Sequence, residues 1–127
     1  MRITGKVTEY YNNTEIELVT AFTVESSGNT VPGPEILSTS DANLEQWEGV
    51  LVQVQDVIVT DDSLGYGEWS VDDGSGDVVV DDKGDYDYIP TNGDALIAIT
   101  GSLDYSFGAF KIQPRDNADI VEKVLLI

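Results

Sequence analysis

"GDALIAITGSLDYSFGAFKI", residues 93–112, reads as two strand-forming runs joined by a tight turn at Phe107-Gly108. The run continues through Gln113-Pro114-Arg115, where Lys111, Gln113 and Arg115 alternate with Phe110, Ile112 and Pro114. That period of two predicts one polar, cationic face and one inward face. The same phrase opens the chain as "ITGKVTEYYNNTEI", residues 3–16. Ile3-Thr4-Gly5 matches Ile99-Thr100-Gly101, Val7 matches Leu103, Tyr11 matches Phe107 and Ile16 matches Ile112. The opening segment is therefore expected to be a second hairpin, with strands at Ile3 to Tyr10 and from Thr14, a turn at Asn12-Asn13, and one apolar face made of Ile3, Val7, Ile16 and Leu18. Asn12-Asn13-Thr14 also satisfies a glycosylation sequon, although a polar turn accounts for it equally well.

Between the two hairpins, short runs rich in Val, Ile, Thr and Tyr recur among Gly, Asn and Asp clusters, which predicts a mostly-β chain. "SSGNTVPGPEILSTSDAN" (26–43) is a connector by its glycines and prolines. "SDANLEQWEG" (40–49) is the one helix candidate, about two turns long, with Asp41 as cap and Leu44 and Trp47 sharing a face. "VLVQVQDVIV" (50–59) alternates through Val50, Val52 and Val54, then loses phase near Asp56, as a bend or bulge would require. "GEWSVDDGSGDVVVDD" (67–82) predicts a further hairpin about Gly74-Ser75-Gly76. A bent first strand followed by two hairpins is what a small closed barrel needs, because one strand must pair on both sides of the closure.

At 127 residues the chain is long enough for one domain with its own core. It has no Cys and no His, which excludes disulfides, thiolate zinc sites, Ser-His or Cys-His nucleophiles and imidazole catalysis. No apolar run approaches the roughly 20 residues that span a bilayer, so no membrane partner is expected. Met1-Arg2-Ile3 enters strand-like sequence at once, and Met1 is expected to fall inside a longer precursor. The net charge is −18, and residues 61–94 hold eleven of the acids against Lys83 alone. Such a field opposes polyanions and suits a solubilising surface.

From Leu44 to Ile120 the order of elements resembles the oligonucleotide/oligosaccharide-binding (OB) fold, a five-stranded Greek-key barrel. The phrases that carry it are "GVLVQVQDVIV", "GEWSVDDGSGDVVVDD" and "GDALIAITGSLDYSFGAFKIQPRDNADI". More narrowly, "FTVESSGNTVPGPEI", "NLEQWEGVLVQVQDVIVTD" and "GYGEW" resemble OB domains that accompany bacterial secreted nucleases of the endonuclease/exonuclease/phosphatase superfamily. The resemblance implies an all-β, noncatalytic OB-fold module of a larger exported protein, extracellular or periplasmic, that binds or positions nucleic acid for a nuclease domain. It divides the chain into an N-terminal hairpin extension (1–27), a connector (28–43) and a barrel with one short helix (44–122). The opening hairpin is either the tail of a preceding domain or an extra hairpin that covers an edge or one end of the barrel; the second is expected, because an isolated hairpin is marginal in water, and a partner chain could supply the cover instead in an exchanged homodimer.

Within that frame Tyr66, Trp69, Tyr105, Phe107 and Phe110 fall where OB domains stack bases or sugars, although the same aromatics would serve a core equally well. Lys111, Gln113 and Arg115 form the only cationic stripe and would contact single-stranded nucleic acid, with Lys6 or Lys83 nearby. The acidic loops offer Asp61, Asp62, Asp72, Asp73 and Asp77 as oxygen ligands for calcium, without the spacing of an EF-hand. A calcium-stabilised spacer contacting neighbouring domains of the parent polypeptide, a carbohydrate or a protein is the alternative. No paired-carboxylate cleft for glycoside hydrolysis is evident, and no enzyme activity is expected of the chain.

Overall fold

Alternating β-branched residues and turn-forming Gly, Asn and Asp produce strands almost throughout. The computed structural model describes residues 1–124 and contains strands and short 3-10 helices, with no α-helix among the described residues. The chain divides into two compact units, Met1–Gly33 and Pro34–Ile127.

The first unit is the hairpin of β1 (Arg2–Tyr10) and β2 (Asn13–Thr23), paired antiparallel. Its turn falls on Tyr11 and Asn12, both at positive φ (47° and 66°), one residue earlier than the expected Asn12-Asn13. Asn tolerates the left-handed region that such a two-residue turn requires at both centres. Val7 pairs with Ile16 and Ile3 with Phe22, which places these four side chains on one face. The expected face had Leu18 in place of Phe22, but the register shifts between Thr4 and Lys6 and Leu18 takes a positive φ of 49°; all five of these apolar side chains, expected to be covered, are exposed.

The second unit is a larger sheet. Its main strands are β4 (Leu51–Gly65), β5 (Glu68–Asp72), β6 (Val78–Val80), β7 (Ala95–Ser106) and β8 (Ala109–Gln113). β3 (Glu35–Ile36) joins β4 in parallel, and β9 (Ile120–Glu122) joins β7 antiparallel. The pairings run β4 to β5 to β6 to β8 to β7 and back to β4, so the five main strands form a closed ring of hydrogen-bonded neighbours. β4 makes this possible by changing partner along its length: Leu51 to Ile58 face β7, and Ile58 to Gly65 face β5. The predicted loss of phase is real, since the buried valines run 52, 54, 57, 59 and the slip falls at Asp56, whose φ is +50°.

The inner face of the ring is Val52, Val54, Val57, Val59, Trp69, Val71, Val78, Val80, Leu96, Ile99, Leu103 and Ile112. Burying each such side chain contributes about 1.5–3 kcal/mol. Gly101 lies where β7 and β8 approach most closely, because a Cβ there would sit 2.5 Å from the Gln113 carbonyl carbon.

The expected short helix at residues 40–49 is instead two 3-10 helices, Asp41–Asn43 and Glu45–Trp47, separated by Leu44 in an extended conformation (φ −98°, ψ 134°). Asp41 makes no side-chain cap; its own N–H is taken by the Ser38 hydroxyl at 3.0 Å. Asn43 Nδ2 instead donates to the carbonyls of Thr39 and Asp77, tying the segment to the β5–β6 loop at the cost of helical continuation. No helix among the described residues is long and apolar enough to cross a membrane.

The closeness of β7 and β8 at Gly101 gives a direct test of the ring. Gly101→Ala is expected to lower stability by about 1–3 kcal/mol through overpacking, read as a lower urea midpoint by circular dichroism. An unchanged midpoint would contradict the β7–β8 register.

Candidate functional site

Two hairpin turns supply the most conspicuous side chains. β4 turns into β5 through Tyr66-Gly67 (φ 56° and 78°), and β7 turns into β8 through Phe107-Gly108 (φ 50° and 81°). Glycine suits the second position of such turns, whereas an aromatic residue at the first holds a backbone conformation that L side chains rarely adopt. Tyr66 is 98% exposed and Phe107 99% exposed. Neither ring therefore recovers by burial what its backbone conformation costs, a pattern associated with functional positions.

Between the two turn tips lies a cavity of about 570 Å³ whose lining includes Leu64, Tyr66, Glu68, Ser106, Phe107 and Lys111. A second hollow, of about 500 Å³, shares Tyr66 and Glu68 with it and is lined further by Trp69, Asp82, Tyr86 and Tyr88. Asp82 packs so closely over Gly67 that a Cβ there would meet its carboxylate.

The other aromatics and cations expected at a ligand surface have different roles. Trp69 belongs to the core, buried on the inner face of β5, with its Nε1–H donating to the Tyr86 hydroxyl at 3.2 Å. Tyr86 in turn donates to the Asp81 carbonyl at 2.7 Å, and its burial pushes the phenol above its ordinary value. Tyr105 and Phe110 pair with each other across β7 and β8, their ring centroids 4.7 Å apart, and both are half-buried.

The expected cationic stripe is neutralised. Lys111 is buried rather than solvated, its ammonium ion-paired to Glu68 and 5.5 Å from the Phe107 ring centroid. The expected solvation of this position fails because Glu68 pairs with the Lys111 ammonium, and both side chains are largely buried. Arg115 donates bidentately to Asp119, Nε to Oδ2 at 2.8 Å and Nη2 to Oδ1 at 2.9 Å, an arrangement that holds the Asp119 carboxyl below its usual range. Lys83 donates to Asp104 at 2.7 Å, and that bond raises the ammonium's pKa. Gln113 Nε2 donates to Asp81 Oδ2 at 3.0 Å.

Of the acidic residues expected as calcium ligands, Asp61, Asp62, Asp72 and Asp73 accept hydrogen bonds from backbone N–H groups. Asp72 Oδ1 accepts from the backbone N–H of Gly74 and Gly76, and the Gly76 and Gly74 bonds hold its carboxyl low. Asp73 accepts from the Thr39 backbone N–H and hydroxyl and from Ser75, which fastens the β5–β6 loop to the segment ahead of β4. Burial pushes the Asp73 carboxyl up, but the Ser75 and Thr39 bonds outweigh it and bring the pKa from 3.8 to about 2. Asp61 accepts from the Ser63 N–H, while Asp62 and Asn92 exchange two bonds. Asp77 contributes its carbonyl to Asn43. Among the described residues, no three acidic side chains are grouped to hold a metal ion.

Sequence reading placed Tyr66 and Phe107 at this site but missed Leu64, Glu68, Tyr86 and Tyr88 as its walls. The alternation of Tyr86 and Tyr88 with Asp85 and Asp87 was the available signal, since it turns both rings to one side of the connector. Comparison with protein families, with characterised proteins and with solved structures gives no match for this chain.

The depressed carboxyls predict acid sensitivity. Asp73 titrates near 3.8 when unfolded and at about 2 when folded, so its stabilisation is complete above about pH 4 and disappears as the pH falls towards 2. Asp72 and Asp119 act in the same direction. The melting temperature is expected to fall between pH 4 and pH 2, and Asp73→Asn to melt lower at neutral pH with a shallower acid decline. Parallel acid profiles for the two proteins would show that the loop bonds of Asp73 add nothing.

Proposed function

We propose that Pro34–Ile127 is a noncatalytic binding module built on an OB-type barrel, and that it holds a neutral glycan chain between the Tyr66 and Phe107 turn tips. The observation that carries this reading is the pair of fully exposed aromatics at positive φ on either side of one cavity. In barrels with this strand order, the first and last hairpin turns flank the ligand face. Tyr66 occupies the first of those turns and Phe107 the last.

The chemistry of the lining selects the ligand class. An exposed ring offers its face to the C–H side of a sugar, and carboxylates such as Glu68 and Asp81 accept hydrogen bonds from hydroxyl groups. A phosphodiester chain would need cations, and Lys83, Lys111 and Arg115 are each engaged by a carboxylate. The net charge of −18 adds long-range repulsion of polyanions.

Single-stranded nucleic acid remains the second reading, favoured by Lys111 beside the Phe107 ring and by the resemblance to OB domains of secreted nucleases. On either reading the module serves a larger exported protein whose other domains carry any chemistry.

A panel of neutral oligosaccharides titrated by calorimetry, beside a labelled oligonucleotide at low salt, separates these readings. Glycan binding insensitive to salt is expected, weakened about tenfold by Tyr66→Ala or Phe107→Ala. Oligonucleotide binding that declines as salt rises, with no glycan bound, would replace the glycan reading by the nucleic-acid one.

A further inference from the structure

We infer that the β1–β2 hairpin is the closing hairpin of a second ring of the same kind, whose first three strands precede β1 in the full-length polypeptide. The sequence match between residues 3–16 and 99–112 has a constant offset of ninety-six residues, and the structure preserves that offset in every paired position of the turn-proximal hairpin. Lys6 pairs with Glu17 as Ser102 pairs with Gln113, and Val7 pairs with Ile16 as Leu103 pairs with Ile112. Glu9 and Thr14 correspond to Tyr105 and Phe110, and Tyr10 and Asn13 to Ser106 and Ala109. Both turns have positive φ at both centres, at Tyr11-Asn12 and at Phe107-Gly108. Gly5 and Gly101 have corresponding close neighbours too, since a Cβ at Gly5 would meet the Glu17 carbonyl oxygen at 2.9 Å and one at Gly101 would meet the Gln113 carbonyl oxygen at 2.5 Å. Repetition of this kind at a fixed period marks tandem units that share one architecture. The copies diverge only past this segment, where β2 continues to Thr23 through Leu18 at φ 49° while Pro114 ends β8.

What covers the second hairpin indicates what the first requires. Leu103 and Ile112 are fully buried because the outer edge of β7 pairs with β4, the outer edge of β8 pairs with β6, and β5 bridges those two. In the first hairpin, Val7 is 68% exposed and Ile16 57% exposed. β1 and β2 form a sheet of two strands, so neither outer edge is paired among the described residues. One apolar face and two open edges are the complement of a three-stranded unit of the β4–β6 type. An isolated hairpin of this kind is marginal in water, and open edges invite pairing. A second copy of residues 34–127 could not supply the unit without releasing its own β7–β8 hairpin, because its β4 and β6 edges are already taken. Connectivity gives the direction: in the complete ring the three strands come before the closing hairpin in the chain.

Hydrogen exchange on the full-length polypeptide, compared with residues 1–127 alone, tests the inference. Amides of Val7 and Ile16 are expected to exchange about a hundredfold or more slowly in the full-length protein, and Val7→Asp to abolish that difference while leaving the exchange of β4 and β7 unchanged. Equal exchange in the two proteins overturns the inference, as does a full-length protein with no β-unit ahead of Ile3. Slow exchange already present in residues 1–127 and lost on dilution also overturns it, in favour of self-association through the hairpin.

Discussion

The ring in the second unit depends on one strand changing its neighbour. β4 pairs with β7 over its first half and with β5 over its second, and only a strand that bends while keeping its apolar side chains inward can do this. The left-handed backbone at Asp56 provides the bend, and the valines on either side reset by one position so that 52, 54, 57 and 59 all face inward. An aspartate is suited to that position because its short polar side chain tolerates the left-handed region better than the neighbouring β-branched residues would. Without the reset, Val57 and Val59 would face water and β5 would have no apolar surface to cover.

Charge organises the outer surface in a comparable way. With so few cations among many acids, Lys83, Lys111 and Arg115 are each drawn to a carboxylate; the Arg115–Asp119 pair is local, four residues apart, while the other two link separate elements. The Lys111–Glu68 pair joins β8 to β5, and the Lys83–Asp104 pair fixes the connector after β6 to β7. Several aspartates use their acceptor capacity on loop N–H groups, as Asp72 and Asp73 do in the β5–β6 turn. The acidic character of the loops is thus in part backbone satisfaction.

The strands, the hairpin turn at Phe107-Gly108 and the slip near Asp56 were legible because period-two patterning and left-handed turn chemistry are local properties of the chain, whereas the turn at Tyr66-Gly67 was not read from the sequence. The other failures are long-range. Alternation correctly set Ile112 inward but could not reveal that Glu68, from β5, would pair with Lys111 and that this ammonium would be buried as well. Trp69 sits on a strand whose two faces are nearly indistinguishable in sequence, Trp69, Ser70 and Val71 all being buried. Residues 41–47 carry helical signals, yet contacts of Asn43 with Thr39 and Asp77 select two short turns instead. The repeated phrase correctly announced a hairpin, but sequence alone did not show that the first copy would leave its apolar side exposed.

Both tryptophans of the chain lie in Pro34–Ile127, Trp69 within its core and Trp47 packed against that core, while the β1–β2 hairpin carries Tyr10, Tyr11 and Phe22 and no tryptophan. The protein is therefore divided optically as well as structurally. Excited at the red edge of the aromatic band, its emission reports on the ring alone, with Trp69 in an apolar, hydrogen-bonded setting that favours a blue-shifted native spectrum. The tryptophan signal therefore belongs to Pro34–Ile127, and the hairpin must be followed by its tyrosines.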